Sequence, residues 1–331
     1  MTSSVDSERL LKELRKLWLD LGKAAATEGG VLRACAMTLI VVADERHDAA
    51  AIGETLASIM HEHPSRAIVI RVRDCPERLL EARVFAQCWM PFGRRQQICC
   101  EQVEIITSPG SLADAAGIVR ALIVPDLPAI LYSPSENLWW MPTFSTLLPL
   151  AGRLVIDSCG MTQSTRALGF LSKLPATLRQ RSDLVWTRLT PWREAVSQIF
   201  DDPRRARSVH SLSEIRILYK GHDEPSAVYY LAGWFMHVLG ANLPLRIAQG
   251  VGYEYAGIGH VAIAAPTFSA EIDIVGPASA EIRIEGQPVQ AAVWPVASDA
   301  WALRQELGIT GRDRVFEDSA GLATLLWGAA S

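Results

Sequence analysis

Between residues 37 and 158 short apolar runs alternate with segments of helical period, and this alternation narrows the fold more than any other feature of the chain. MTLIVVAD (37–44) is an apolar run with polar bounds. From about His47 to His61, Ile52, Leu56, Ile59 and Met60 fall on one side of a helix, and AIVIRV (67–72) is the next apolar run. A strand that returns to pair in parallel needs a crossover of about this length, so the pattern predicts a βαβ unit. VEIITS (103–108), PAILYS (128–133) and RLVIDS (153–158) read as further strands, with helices over 111–124 and 143–152 between them. Regular alternation of this kind predicts a three-layer α/β domain with a mostly parallel sheet.

The pattern changes after the polar, glycine-containing CGMTQST (159–165). IRILYK (215–220) reads as a strand and 226–240 as a largely apolar helix. FSAEIDIV (268–275) and SAEIRIE (279–285) alternate small or apolar residues with charge around Gly-Pro-Ala, which predicts an antiparallel hairpin with one wet face. VQAAVWP (289–295) extends that sheet, and two helices close the chain, one after Ser298 and one near Glu317–Trp327. The second half is therefore α+β with antiparallel strands. Ahead of both halves, Leu10, Leu11, Leu14, Leu17, Trp18 and Leu21 form one helical stripe that must dock on its own chain or on a partner. The expected domains are a docking helix over 1–29, an α/β domain over 30–160 and an α+β domain over 161–331. The charged loop FDDPRRARS (200–208) is the alternative break.

Composition removes several function classes. The formal net charge is -4, which argues against a chain built to coat nucleic acid or an anionic membrane. No apolar run reaches the ~18–20 residues that a spanning helix needs; the nearest, AVYYLAGWFM (227–236), is followed by His237. The N-terminus lacks the order of basic, apolar and small-residue segments of a secretory signal, so a cytoplasmic protein is expected.

No catalytic constellation stands out. The first strand-to-helix turn, ADERHD (43–48), has no glycine, and Asp44 and Glu45 would repel a phosphate. Arg46 offsets part of that, so Arg46 and Arg66 stay open as anion contacts. The glycines of GVGYEYAGIGH (250–260) read as turns and bulges or as a ligand loop. His61 and His63 bracket Glu62 without a second cluster to complete a metal site. Asp126, between two prolines in VPDLP, reads as a shaped strand entry. Cys35, Cys75, Cys88, Cys99, Cys100 and Cys159 show no metal-ligand spacing, and free, buried thiols are expected rather than a disulfide framework. The adjacent Cys99 and Cys100 are redox candidates. No cofactor and no metal are expected.

DLVWTRLTPWR (183–193) is the densest stretch in rings and guanidinium groups. LVWTR reads as a strand with Trp186 and Arg188 on one side, and Thr190-Pro191 as the start of a helix whose third position holds Arg193. Trp186, Arg188, Trp192 and Arg193 are either a ring core with cation–π partners or an interface hot spot that clamps a partner.

This stretch, with RACAMTLIVV (33–42), HPSRAIVI (63–70), VPDLPAILY (124–132) and RLVIDS (153–158) in the same order, resembles the glucose-6-phosphate dehydrogenase assembly protein family, OpcA. The resemblance covers nearly the whole chain, including ELRKLW near the start and GRDRVFEDS near the end. It implies a non-catalytic effector that binds glucose-6-phosphate dehydrogenase and promotes its active oligomer, an allosteric activator supporting the oxidative pentose phosphate pathway and NADPH supply. Cys35 matches the family's first cysteine position, which makes it a further redox candidate. The rival expectation is a sugar-phosphate-binding α/β protein or enzyme that acts without a dehydrogenase.

Overall fold

The structure, a computed structural model, describes residues 5–24, 30–90, 96–175, 178–221, 224–240, 242–250 and 257–330. In chain order its first elements are α1 (Ser7–Ala24), β1 (Val31–Arg33), β2 (Met37–Asp44), α2 (Ala49–Ile59), β3 (Ser65–Val72), β4 (Leu80–Trp89) and β5 (Gln97–Thr107). Next come α3 (Leu112–Leu122), β6 (Ala129–Ser133), α4 (Glu136–Trp139), β7 (Arg153–Ile156), α5 (Arg166–Ser172), β8 (Gln180–Asp183), α6 (Leu184–Arg188), α7 (Thr190–Ile199) and α8 (Pro203–Arg207). The rest are β9 (Glu214–Lys220), α9 (Ser226–Leu239), β10 (Leu245–Gln249), β11 (Gly257–Ala265), β12 (Phe268–Gly276), β13 (Ser279–Ile284), β14 (Gln290–Val293), α10 (Asp299–Gly308) and α11 (Arg314–Ala330). Two compact units divide the chain. One takes residues 1–157, 175–182 and 299–310, the other 158–174, 183–298 and 311–331.

The first unit is α/β. Its strands run β1-β5-β3-β2-β6-β7-β8, and β2 pairs in parallel with both β3 and β6. β2 and β3 are buried almost throughout, which is why they read as continuous apolar runs rather than as alternation. β4 is antiparallel to β5. It is absent from the expectations, although Leu80, Ala82 and Val84 alternate with Glu81 and Arg83 at the period of a half-exposed strand, a pattern that ends at Phe85. The helix expected over 143–152 is instead two short 3-10 segments, Pro142–Thr146 and Leu148–Leu150. Pro149 removes a backbone donor and disfavours α-geometry in the residue before it. Asp126 has φ 65, a left-handed geometry that Asp tolerates better than most side chains, and this turns the chain into β6.

α1 docks on its own chain, against β4 and α3. Leu10 and Leu14 are buried, and Trp18 Nε1 donates to Glu101 Oε1 at 2.5 Å. Glu101 also takes Arg33 at 2.7 Å and Arg66 at 2.5 Å. The stripe therefore ends on a buried carboxylate that three side chains share.

The second unit is α+β. Its sheet runs β10-β9-β11-β12-β13-β14 and is antiparallel except for β9 with β10. The period-2 pattern holds: Ile272, Ala280 and Ile282 are buried, while Asp273, Glu281 and Arg283 lie on the wetter face. There Arg283 pairs with Asp273, Glu281 and Glu271. α9 is apolar on all sides from Val228 to Phe235 because that length is buried all round, with Tyr230 and Phe235 fully enclosed. Of the 250–260 glycines, Gly257 starts β11, and the register slips between Ile258 and His260, a bulge at Gly259. Residues 251–256 lie outside the described residues. No helix among the described residues is long and apolar enough to cross a membrane.

Candidate functional site

LVWTR is a helix, α6, and not the expected strand. Asp183 caps it by accepting the Val185 N–H at 3.0 Å, and Leu184, Val185, Trp186 and Thr187 are all buried. Aromatic and β-branched residues suit a strand in isolation, but here the cap and burial on every side decide. Residues two apart on a helix do not share a face, so Trp186 and Arg188 part company. Trp186 packs on Phe316 at 5.7 Å, donates to Asp313 Oδ2 at 3.1 Å, and carries the Arg193 guanidinium 3.6 Å from its ring centre. Arg193 also donates to the Trp186 carbonyl and to Thr190 Oγ1. These two side chains are internal partners of each other.

Arg188 and Trp192 go elsewhere. Both line a cleft of about 730 Å³ in the second unit, together with Trp294, Lys220, Ile258, Ile274 and Pro277. Trp192 meets Trp294 edge-on at 4.9 Å. Arg188 Nε donates to the Ala297 carbonyl at 3.2 Å, which fixes its stem beside the opening. Among the described lining residues two are cationic and none is acidic. The cleft can therefore take an apolar group with an adjoining negative charge.

One wall rests on a buried polar network. Asp183 is fully buried. Besides Val185 it takes the Ser158 N–H at 3.1 Å, the Ser158 hydroxyl at 2.6 Å and the Tyr230 hydroxyl at 3.1 Å. Ser158 Oγ also meets Ser226 Oγ at 2.8 Å, and Ser226 N donates to Ser164 Oγ. Burial first, and then the Asp183 charge and hydrogen bond, push the Tyr230 phenol well above its ordinary value. Ser158, Ser164 and Ser226 hold the start of α9 and the 158–164 loop at the cleft wall. Neither these serines nor Trp294 and Lys220 were singled out in the sequence. The lining comes from segments far apart in the chain, and no local period reports that.

In the first unit the strand order reverses at β2 and β6, the place where open α/β sheets receive ligands. A cavity of about 220 Å³ lies there, lined by Arg46, His47, Asp48 and Tyr132. Its charges are already matched. Burial opposes the Asp44 charge, but hydrogen bonds and charges from Arg46 and His47 outweigh it and hold the carboxyl below its ordinary value. Asp48 caps α2 by accepting from Ala50 and Ala51, the amides that a phosphate at this helix end would use. Arg66 is no nearer to an anion site, because it is buried and committed to Glu101 and the Leu122 carbonyl. Among the described residues no group of three or more His, Cys, Asp or Glu side chains could hold a metal.

Two cysteines are bonded, against the expectation of free thiols throughout. Cys88 and Cys99 form a disulfide across β4 and β5, where the register sets them opposite each other. Cys35, Cys75, Cys100 and Cys159 stand outside the disulfide as thiols. Cys100 is buried, and burial pushes its thiol up to about 11. Cys159 is exposed and lines the cleft. The thiolate is the reactive form. Alkylation of the native protein near pH 8 should therefore modify Cys159 first and Cys100 last among the thiols. Cys88 and Cys99 should become labelled only after reduction, and peptide mass spectrometry over a time course checks the order.

Comparisons with known proteins fall on both halves of the chain. Family models described as the glucose-6-phosphate dehydrogenase subunit N-terminal domain and C-terminal domain match residues 57–173 and 179–320. A Synechocystis sp. protein provisionally named OxPP cycle protein OpcA is 28% identical over 193 residues, which are 55% of this chain and 38% of that protein. A Nostoc punctiforme protein of the same name is 25% identical over 182 residues, 52% of this chain and 37% of that protein. The matched region is thus less than two fifths of the length of these curated relatives. Among solved structures, a mutant of KijD10, a 3-ketoreductase from Actinomadura kijaniata in complex with TDP-benzene and NADP, aligns with a TM-score of 0.50 and 14% identity. That alignment covers 88% of this chain and 96% of the other, and it shows a shared fold alone.

Proposed function

The chain belongs to the OpcA family of glucose-6-phosphate dehydrogenase subunits, and from that premise we propose that it is a non-catalytic assembly factor for glucose-6-phosphate dehydrogenase. It acts in the cytoplasm, in the oxidative pentose phosphate pathway, and so supports NADPH supply. The observation that carries the non-catalytic part is the filled strand-to-helix turn. Asp48 occupies the Ala50 and Ala51 amides of α2 and Asp44 pairs with Arg46, so the groups a phosphate would use at the dinucleotide position of this fold are engaged by carboxylates. The family match supports the partner. We read residues 1–29 as the docking helix of the α/β domain over 30–160, followed by the α+β domain over 161–331.

In this reading the cleft around Arg188, Trp192, Trp294 and Lys220 receives an apolar, acid-flanked segment of the dehydrogenase, while Trp186 and Arg193 support it from within. Activation is a population shift: a factor that binds the active oligomer better raises its share by that difference in affinity and no more. A tenfold shift needs only about 1.4 kcal/mol.

The test is the cognate dehydrogenase assayed and chromatographed with and without this protein. Higher activity and co-elution are expected. Arg188→Ala should weaken association about tenfold, as loss of one charged contact does, with a smaller fall in melting temperature than Trp186→Ala. Trp186→Ala should lower the melting temperature, because it empties a packed position. Unchanged kinetics with separate elution would refute the assembly reading, and turnover of a sugar phosphate by the chain alone would favour the enzyme reading in its place.

A further inference from the structure

Arg71, Arg73 and Arg83 line a cavity of about 310 Å³ in the first unit, with Glu81, Glu104 and Ile106. The strand register gathers them. Arg71 on β3 is aligned with Ile106 on β5, Ile106 with Glu81 on β4, and Glu104 with Arg83. Aligned residues of neighbouring strands point to the same side of a sheet, and Arg71 lies at the carboxyl end of its strand.

The charges here do not close among themselves. Arg83 donates to Glu104, and that pair is satisfied. Among the described residues no ion pair or hydrogen bond engages the guanidinium groups of Arg71 and Arg73, and Arg71 Nε is buried without an acceptor. A charged N–H withdrawn from water without an acceptor is costly, and native structures normally supply one. Glu81 is exposed at the rim. With three cations and two carboxylates in the lining, one positive charge is left over. Arginine's planar fork matches the oxygens of a phosphate, and carboxyl ends of strands are where open α/β sheets bind ligands.

We propose that Arg71 and Arg73 form a binding site for the phosphate group of a small phosphorylated metabolite. Arg71 supplies the buried donor and Arg73 closes the site from the solvent side. The site is separate from the filled turn at Asp44 and Asp48, and it does not depend on the dehydrogenase reading.

Inorganic phosphate is the probe, titrated into the full chain at constant ionic strength against a chloride control. Thermal unfolding and calorimetry are the readouts. A saturable rise in melting temperature with heat of binding is expected, since a ligand bound only by the folded state stabilises it by mass action. Arg71→Gln should weaken binding by about tenfold or more. Glu81→Gln removes a repulsive charge and should tighten it, a change that a mere folding defect would not produce. No saturable response beyond the chloride control, or equal affinity in wild type and Arg71→Gln, overturns the proposal.

Discussion

Gly233→Ala is expected to destabilise the second unit by about 3 kcal/mol, the upper end for overpacking a filled core. Gly233 lies inside α9, where helix propensity alone would favour alanine by about 1 kcal/mol. Packing reverses that preference. A Cβ at this position would sit 2.2 Å from the Ser319 carbonyl oxygen and 2.9 Å from the Ala323 amide nitrogen, both backbone atoms of α11. Neither can rotate away, so α9 and α11 must separate along a buried seam that includes Ala323 and Phe316. Gly117→Ala in α3 is the control. It meets nothing within 4 Å and should gain about 0.5–1 kcal/mol. Urea midpoints of the two variants should thus move in opposite directions. A Gly233→Ala midpoint at or above that of wild type would mean the helices do not approach this closely.

Asp183→Ala is expected to cost about 3–5 kcal/mol, because four buried donors lose their acceptor, at about 1–3 kcal/mol for each that cannot turn to another partner. The amides of Ser158 and Val185 and the hydroxyls of Ser158 and Tyr230 all point at this carboxylate. Asp183→Asn keeps one acceptor oxygen, and the hydroxyls of Ser158 and Tyr230 can turn to accept from its amide, so it should cost less. The two variants together separate loss of the acceptor from loss of the charge.

The network also gives a pH signature. The Tyr230 phenol is held well above 10.0 by burial and by Asp183. In the unfolded chain it ionises near that ordinary value, while the folded chain keeps its proton. Stability from this group is therefore complete below about pH 10 and is lost as pH rises further. Tyr230→Phe should flatten that alkaline decline in urea midpoint measured from pH 8 to 11. An identical slope in both proteins would show that Tyr230 is not the group responsible.

Local pattern was enough wherever an element's environment repeats at the element's own period. β2, α2 and β3 follow from apolar runs and a helical stripe, and the β12–β13 hairpin follows from strict alternation, because each has one uniform kind of neighbour along its length. β4 carries an alternation only over Leu80–Val84, because Phe85 and the neighbouring Cys88 and Trp89 break it. The 183–193 stretch is the instructive failure. Its composition suits a strand, yet Asp183 caps a helix there and the rings are buried on all sides. The change of element reassigns the site, sending Trp186 and Arg193 inward to each other and Arg188 and Trp192 to the cleft.

By itself the sequence determined the fold class, the order of most strands and helices, and the family, since these depend on neighbours within a few residues or on matched order along the chain. Only the tertiary structure decided that Arg46 and Arg66 are spent on Asp44 and Glu101, that Cys88 faces Cys99, and that Arg71 is left without an acceptor. The physical reason is one of range. Periodicity records which side of an element is apolar, whereas ion pairs, disulfides and cavities depend on which distant elements meet there, and in what register.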